Sequence, residues 1–315
     1  MVAGDLRTLA PGRCRYVLML REDGSVHDDG IVARLAADRF HVTTTTGGAG
    51  RSLALMEDYL QTEWPTLQVY LTSITEQYSV IAVQGPQARA LIAPLVEGID
   101  VADAAMPHLS IRVGRFFGVP CRLFRVSFTG ELGFEINVPW GHGTTVWAEL
   151  CTRGAALGFA PYGTETMHVL RAERGFIIVG QETDGTVTPD DLGLARMIGK
   201  KKADFVGKRS LARPDLVAPG RKQLVGLLTD DPLWVIEEGA QLVADPGERV
   251  PMHALGHVTS SYASANCGRS IALALVAGGR ERSGQTLHAT TRDGFAPVKV
   301  VPPVFFDPDG RRVHG

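Results

Sequence analysis

The sequence predicts an α+β protein that ends in a small, mostly β domain. Three features indicate this class: β patterns joined by an Asp-Gly turn near the start, helical spacing of apolar residues soon afterwards, and a return to β patterns over the last third of the chain. With 315 residues, 44% of them hydrophobic and 21% charged, the chain can bury a substantial core and is expected to be ordered over most of its length.

The first hundred residues alternate between predicted strands and helices. A β-hairpin is expected around the turn at Asp23-Gly24, and the apolar spacing over 53–60 predicts a helix that ends before Pro65. A second helix is expected after Pro86. The predicted strands in this part of the chain occupy 13–20, 25–35, 39–46, 67–73 and 78–85.

The middle of the chain continues the mixed pattern. The block 113–138 predicts a strand, a turn and two more strands, and helices are expected near 145–154 and 164–175. Around 184–214 the sequence becomes polar and rich in Gly and Lys. Because β patterns then resume and continue almost to the C-terminus, a terminal domain of about 95 residues is expected, which is an ordinary domain size.

Composition disfavours several classes of protein. The formal net charge of −2 provides no basic field for a nucleic acid or an acidic membrane surface. The N-terminus has no apolar core of a signal peptide, and no run approaches the roughly 18 apolar residues that span a bilayer, so a cytoplasmic location is expected. Reduced thiols rather than disulfides are expected for the four widely spaced cysteines, Cys14, Cys121, Cys151 and Cys267.

Common catalytic and cofactor motifs are missing from the sequence. Gly47, Gly48 and Gly50 follow a predicted strand, but they do not complete the GxGxxG pattern of a dinucleotide site. The nine histidines show no HxH or HExxH spacing, and no GxSxG is present. We therefore predict neither a metal site nor a serine nucleophile.

Two adjacent carboxylates, Asp28 and Asp29, lie inside an otherwise apolar predicted strand. Strand propensity and the cost of desolvation both disfavour carboxylates there. Asp29 shares its face with Ile31 and Leu35, so we predict that Asp29 points inward and that Asp28 lies on the opposite face. A partly buried carboxylate with a raised pKa can accept or orient a proton. The alternative is an acidic hairpin arm in solvent.

Glu135 is a second candidate, in the predicted strand LGFEINV. It shares a face with Gly133 and Asn137, and the glycine leaves room for a flat ring. Its two carboxylate oxygens can accept a pair of parallel N–H bonds, such as those from the edge of an aminopyrimidine. The alternative is a solvated strand face.

Two further charged groups are interpreted as structural. Arg171 and Glu173 lie on one predicted helix as possible ion-pair partners, where helical charges are usually solvated. A basic cluster is predicted to be surface, although it has the charge to meet the carboxylates of a polyglutamyl tail. This cluster consists of Lys200, Lys201, Lys202, Lys208 and Arg209.

Six motifs in order extend the interpretation beyond single residues. They are DGSVHDDGIV, IAVQGPQA, FTGELGFEI, VGQETDGTVTP, DFVGKRSL and GHVTSSYASANCGRSIALALV. Together they closely resemble the aminomethyltransferase (T protein) family of the glycine cleavage system over nearly the whole chain. The resemblance implies a T-protein-like multi-lobe α+β fold with a C-terminal β-barrel-like domain. Its parts would be a first folate-binding lobe over 1–77, N-terminally incomplete relative to the family, a second lobe over 78–195, a linker over 196–221 and the barrel-like domain over 222–315.

Within that family, the segments 162–194 and 200–211 look most like the C-terminal part of the large (alpha) subunit of sarcosine oxidase. The resemblance implies that tetrahydrofolate captures the carbon of an imine as 5,10-methylenetetrahydrofolate. The imine would come from oxidation of an N-methyl amine on flavin-containing partner segments or sarcosine oxidase subunits. Flavin and NAD are expected only there.

The resemblance also implies roles for individual residues. Asp29 would be the catalytic carboxylate, and Glu135 would hold the aminopyrimidinone edge of the pterin. Tyr16, Asp28 and Phe128 would lie among the cofactor-binding residues, with Phe128 standing where T proteins carry a Tyr.

Other positions depart from the family pattern. Met167 stands where T proteins carry an Arg implicated in receiving the lipoyl-bound intermediate, and Ala33 replaces another Tyr. The iron-sulfur maintenance branch is disfavoured because no Cys occurs over 176–179, just before GQE. The family's opening segment would precede Gly4. Two alternative functions stay open: a stand-alone aminomethyltransferase of the glycine cleavage type, and a non-catalytic folate-binding module.

Overall fold

The computed structural model describes residues 1–247 and 251–315. Within these ranges the chain forms a three-stranded sheet, a five-stranded sheet and a closed six-stranded barrel. Five α-helices accompany them in the same ranges. In this part of the chain, no helix combines the length and the apolar character needed to cross a bilayer.

The first sheet is the predicted N-terminal hairpin with one more strand. β1 (Cys14–Leu20), β2 (Val26–Arg34) and β3 (Phe40–Val42) are antiparallel, in that order. One face of this sheet packs on the chain before β1 and on α1 (Ala49–Thr62), through the buried side chains of Val17, Met19 and Val32. Both the Asp-Gly turn and the helix that ends before Pro65 are as predicted.

The strand predicted over 67–73 does not form. The chain between α1 and the next strand is irregular and largely exposed, and 89% of the Tyr70 surface is accessible. A β-rich run becomes a strand only where a neighbouring strand accepts its hydrogen bonds, and none does so here. This expectation was wrong because β propensity carries no information about partners.

The second sheet has the strand order β4-β8-β7-β6-β5. Its elements are antiparallel neighbours, and the turn between β6 and β7 is as predicted. On one face, Phe134, Ile136 and Val138 form a core with α2 and α3. The bounds are β4 (Tyr78–Gln84), β5 (Val96–Glu97), β6 (Ser110–Phe116), β7 (Val119–Arg125), β8 (Gly133–Pro139), α2 (Ala88–Ile92) and α3 (Gly143–Gly154).

The remaining faces of the two sheets meet. Cys14 and Ala33 from the first sheet pack with Ile111 and Phe124 from the second, and the amide of Cys14 donates to the carbonyl of Leu109 at 2.8 Å. Because side chains alternate across a strand, Glu135 on β8 lies on this inner face, next to Phe124 in register. The inner face of the first sheet and the inner face of the second therefore face each other.

The C-terminal barrel closes in the order β10-β11-β12-β9-β14-β13. A second core lies between this barrel, the first sheet and α4 (Thr164–Glu173), and it includes Leu18, Leu20, Ala172 and Leu273. A further short helix is α5 (Pro214–Val217). The barrel strands are β9 (Lys222–Thr229), β10 (Gln241–Val243), β11 (Gly256–Ser264), β12 (Arg269–Ala277), β13 (Thr286–Thr291) and β14 (Gly294–Val301).

A buried ion pair joins α4 to the barrel. Arg171 donates to Glu182 at 2.8 Å, and both side chains are fully buried. Glu182 also accepts from the hydroxyls of Thr259 at 2.9 Å and Ser260 at 2.6 Å, both on β11. The prediction that Glu173 pairs with Arg171 was wrong. At the end of α4 the Glu173 carboxylate instead accepts a hydrogen bond from Ser264 at 2.6 Å.

Two lysines of the predicted basic surface donate hydrogen bonds to backbone carbonyls. Lys202 donates to the carbonyl of Val2 at 2.6 Å, and Lys208 donates to that of Ala203 at 2.6 Å. The same stretch buries Phe205. This stretch of the predicted linker therefore packs on the first sheet.

Candidate active site

The centre of the site is a hydrogen bond between neighbouring strands. Tyr16 on β1 and Asp29 on β2 lie on the same face of the first sheet, and the Tyr16 hydroxyl donates to Asp29 Oδ2 at 2.6 Å. Both side chains are half-buried. The structure thus brings together two residues that the sequence analysis placed in the site separately.

Burial changes the acidity of both groups. The pKa of Asp29 is raised to about 6, first by desolvation and also by the charge of Asp28, while the hydrogen bond from Tyr16 lowers it. Burial also raises the pKa of the Tyr16 hydroxyl well above its usual value, so Tyr16 stays a donor. A carboxylate that changes its protonation state near neutral pH is suited to taking up or orienting a proton.

Asp28 lies on the opposite side of the strand and is completely buried. Its Oδ1 accepts the amide of Asp29 at 2.8 Å, and its Oδ2 accepts the hydroxyls of Thr45 at 3.2 Å and Ser52 at 3.1 Å. Asp29 faces the second sheet, on the side of Ile31 as expected, but it is only half-buried, whereas Asp28 is the fully buried residue because α1 covers its face. We therefore assign Asp28 no contact with a cofactor, in contrast to the prediction from sequence.

Glu135 lies on the inner face of the second sheet. Desolvation raises the pKa of its carboxyl group. Within residues 1–247 and 251–315, no side chain or amide donates a hydrogen bond to this carboxyl. A desolvated carboxyl group without donors is costly unless a ligand supplies them.

The charge of Glu135 acts on two residues that the sequence analysis did not place in the site. It contributes to the raised pKa of the Cys14 thiol, about 12, and to the raised pKa of the Tyr162 hydroxyl, with burial the larger cause in both. Cys14 starts β1, two residues before Tyr16 and on the same face. No local signal in the sequence could have found either relationship, because both join distant segments.

An Arg-His pair also lies on the inner faces. Arg122 on β7 contacts Nδ1 of His41 on β3 at 3.1 Å, and its guanidinium lies 4.7 Å from the centre of the Tyr78 ring. Desolvation and the charge of Arg122 lower the pKa of His41 to about 4, so His41 is a neutral acceptor at pH 7. This pair links the two sheets.

Phe128 follows β7 and stacks on Phe176, with 6.4 Å between ring centres. Phe176 lies just after α4, so this contact joins the second sheet to the helix that leads to the barrel. The structure therefore places Tyr16 and Asp29 together and puts Asp28 on the opposite side of β2. It places Phe128 in an aromatic contact of its own.

Known protein families match both parts of this architecture. Residues 1–202 match the GCVT N-terminal domain, and residues 222–307 match the glycine cleavage T-protein C-terminal barrel domain. The chain belongs to the glycine cleavage T-protein (aminomethyltransferase) family. The predicted family and the predicted α+β fold with its C-terminal barrel are confirmed.

Two groups of family members are similar to the whole chain. Sarcosine oxidase subunit alpha from Corynebacterium sp. (strain P-1) is 48% identical over 98% of this chain but only 32% of its own length. The same subunit from Rhizobium meliloti is 41% identical over 97% of this chain and 31% of its own length. This chain therefore spans about a third of those relatives.

Aminomethyltransferase from Streptomyces coelicolor is 32% identical over 97% of this chain and 79% of its own length. Among solved structures, the glycine cleavage system aminomethyltransferase T from Bartonella henselae superposes with a TM-score of 0.81 at 23% identity. That superposition covers 98% of this chain and 80% of the other. At this identity it establishes the fold alone.

Proposed function

We propose that this T-protein family member binds tetrahydrofolate between the two sheets and transfers a one-carbon unit to it. The observation that carries the proposal is the Tyr16–Asp29 pair, a proton-accepting group on the side of the first sheet that faces the second sheet, where the desolvated carboxyl of Glu135 lies. Relatives named aminomethyltransferase and sarcosine oxidase subunit alpha support one-carbon transfer to folate as the class of reaction.

Glu135 fits the pterin end of this cosubstrate. The aminopyrimidinone edge of a pterin presents adjacent N–H donors, and the Glu135 carboxyl receives none from the described protein. Paired N–H donors would satisfy both of its oxygens and favour its ionised form. Gly133, on the same strand and face, does not leave the room expected from the sequence, because the side chain of Gln84 and the carbonyl of Val126 occupy the space beside it.

Asp29 would handle the proton of the reacting amine. When bound, the folate would supply the two amines that take up the carbon of an imine, giving 5,10-methylenetetrahydrofolate while the carbon–nitrogen bond of the imine breaks and its nitrogen leaves, with the two protons, as a primary amine. With a pKa near 6, Asp29 is mostly ionised at pH 7 and can accept a hydrogen bond from the reacting amine. Tyr16 holds Oδ2, and no described side chain donates to Oδ1, which is left to face the amine.

The imine would be produced elsewhere. This part of the proposal rests on the relatives named sarcosine oxidase subunit alpha. The chain matches only about a third of their length, so the oxidation is assigned to other segments or subunits. We propose that a flavin-bearing segment or subunit oxidises an N-methyl amine such as sarcosine, with flavin and NAD held there. The present chain would receive the imine and protect it from water between the two sheets.

Calorimetric titration with folinic acid tests the binding step. We expect binding by the wild-type chain and at least a tenfold loss in Glu135→Gln, about 1.4 kcal/mol, because the neutral amide donates where the pterin also donates. Glu149→Gln, which breaks the pair with Arg153 on helix α3, is the matched control and should bind normally. A folded chain that binds no folinic acid would overturn the proposal.

A turnover assay tests the transfer step. With sarcosine and a flavin-bearing sarcosine oxidase component, methylenetetrahydrofolate should form and should be lost in Asp29→Asn while folinic acid still binds. Binding without turnover in any such assay would favour a non-catalytic folate-binding module.

A stand-alone aminomethyltransferase is the second candidate, since a relative of that name aligns along 79% of its length. Release of ammonia from an aminomethyl-loaded lipoyl carrier would favour it. Met167 stands against it, because it provides no charged donor at the position where T proteins carry an Arg implicated in receiving the lipoyl-bound intermediate.

A further inference from the structure

Asp28 connects the proposed catalytic strand to the beginning of helix α1. Besides the three bonds described above, its Oδ1 accepts the amide of Thr45 at 3.3 Å, so four donors surround one buried carboxylate. Three of these donors come from Thr45 and Ser52, on either side of the first residue of α1. The fourth is the amide of Asp29 itself.

The surrounding backbone is shaped to admit this carboxylate. Gly48 stands immediately before α1, and a Cβ atom there would overlap both Asp28 Oδ2 and the Thr45 hydroxyl. The backbone of α1 therefore approaches the carboxylate more closely than any other residue type would allow. The N-terminal end of a helix is also where a negative charge is favoured.

We propose that Asp28 is the positioning residue of the site: its buried carboxylate fixes the backbone of Asp29 against α1 and provides the negative charge beside which Asp29 acts. This inference rests on the proposed function of Asp29. Since Asp28 and Asp29 point to opposite sides of β2, Asp28 acts through the peptide that joins them and through its charge, without touching the substrate.

Within the described part of the chain, two other side chains shift the pKa of Asp29. Tyr16 on β1 donates to it, and Asp28 on β2 repels its ionised form. On α1, Arg51 donates to the carbonyl of His27, and the pKa of that histidine is lowered first by burial, so His27 is uncharged at pH 7. Of these groups, Asp28 is the one whose removal lowers the pKa of Asp29.

Asp28→Asn isolates the charge from the anchoring bonds. The amide oxygen can still accept the amide of Asp29, and the amide nitrogen can donate to the hydroxyls of Thr45 and Ser52, which also accept hydrogen bonds. Ser52→Ala is the matched control, because it removes one donor to Asp28 and keeps the charge.

The experiment measures the titration of Asp29 by NMR in the intact chain labelled with ¹³C at aspartate carboxyls, without folate. We expect Asp28→Asn to lower the pKa of Asp29 by about one unit, and Ser52→Ala not to lower it. In the turnover assay the acid limb of the pH–rate profile should move by the same amount. At the pH optimum, Asp28→Asn should lower kcat about tenfold, because Asp29 is then less firmly positioned and is a weaker base. The KM for folate should change little.

An unchanged titration of Asp29 in folded Asp28→Asn would overturn the inference. So would an equal downward shift in Ser52→Ala, since the effect would then come from packing. Because the NMR titration needs no folate, failure of the proposed function would appear separately, as a chain that shows the expected titration and binds no folinic acid.

Discussion

Tyr16 holds Asp29 from the neighbouring strand by a 2.6 Å hydrogen bond that lowers the pKa of the carboxyl against the effect of burial. Removing the hydroxyl in Tyr16→Phe should therefore raise the pKa of Asp29 above about 6. The acid limb of the turnover profile should move to higher pH, opposite to its movement in Asp28→Asn. The pH dependence of kcat/KM measures both; a shift of Tyr16→Phe to lower pH would contradict the assigned hydrogen bond.

The ionised carboxylate of Asp29 should lower the free energy of unfolding at neutral pH. Its folded pKa of about 6 lies above its usual 3.8, so the folded state binds the proton more tightly and stability falls as pH rises through this window. By pH 8 the cost is complete, and Asp29→Asn should raise the free energy of unfolding by up to about 3 kcal/mol. Urea unfolding at pH 8 and pH 5 measures this, and the gain should be smaller at pH 5. Equal gains at both pH values would mean that the effect is not due to titration.

Gly48 should tolerate no side chain. In Gly48→Ala the new methyl group overlaps Asp28 and Thr45, so the start of α1 must move, at a cost of about 1–3 kcal/mol. Gly47→Ala is the adjacent control, since nothing lies within 4 Å of a Cβ there, and its stability should be unchanged or higher by up to about 1 kcal/mol. Chemical denaturation measures both. Equal stability of the two variants would contradict the close contact between Gly48 and Asp28.

The buried Arg171–Glu182 pair should be sensitive to loss of either partner. Glu182→Gln leaves the Arg171 guanidinium buried without a counter-charge and should cost about 3–5 kcal/mol. Glu149→Gln, which breaks an exposed pair with Arg153 on α3, should cost at most about 1 kcal/mol. Urea midpoints of the two variants provide the comparison. A similar small loss in both would mean that the pair is not desolvated in solution.

Local rules predicted much of the fold. Turn residues and apolar periodicity, which are signals between residues a few positions apart, predicted three parts of it: the hairpin around Asp23-Gly24, helix α1 and the run of barrel strands. The failure over 67–73 has the opposite cause, because a strand depends on a partner that local sequence does not specify. The boundaries of the predicted lobes and linker stay predictions.

The candidate site was predicted in part, through strand patterns and motifs rather than geometry. Strand patterns already singled out Asp29 and Glu135 as candidates, whereas the family and Tyr16 came from the order of motifs; the roles of all three residues stay predictions. Strand alternation could not tell which of Asp28 and Asp29 would be fully buried, because both faces of β2 are covered. The partner of Arg171 was missed because Glu182 lies in irregular chain after α4, whose path local sequence does not specify, and because β11, which fixes that carboxylate, lies far away along the chain.

Because β1 and the barrel share a core, residues of the barrel wall support the strand that carries Tyr16. Leu18 and Leu20 continue the strand that carries Tyr16, and they pack in one cluster with Leu273 and Leu275 of β12. Truncating a leucine of β12 would leave a void directly beneath that strand, and relaxation into the void moves the strand with it. A screen of random substitutions for lost turnover should therefore return hits about 250 residues away from Tyr16 along the sequence, at positions that never meet the substrate.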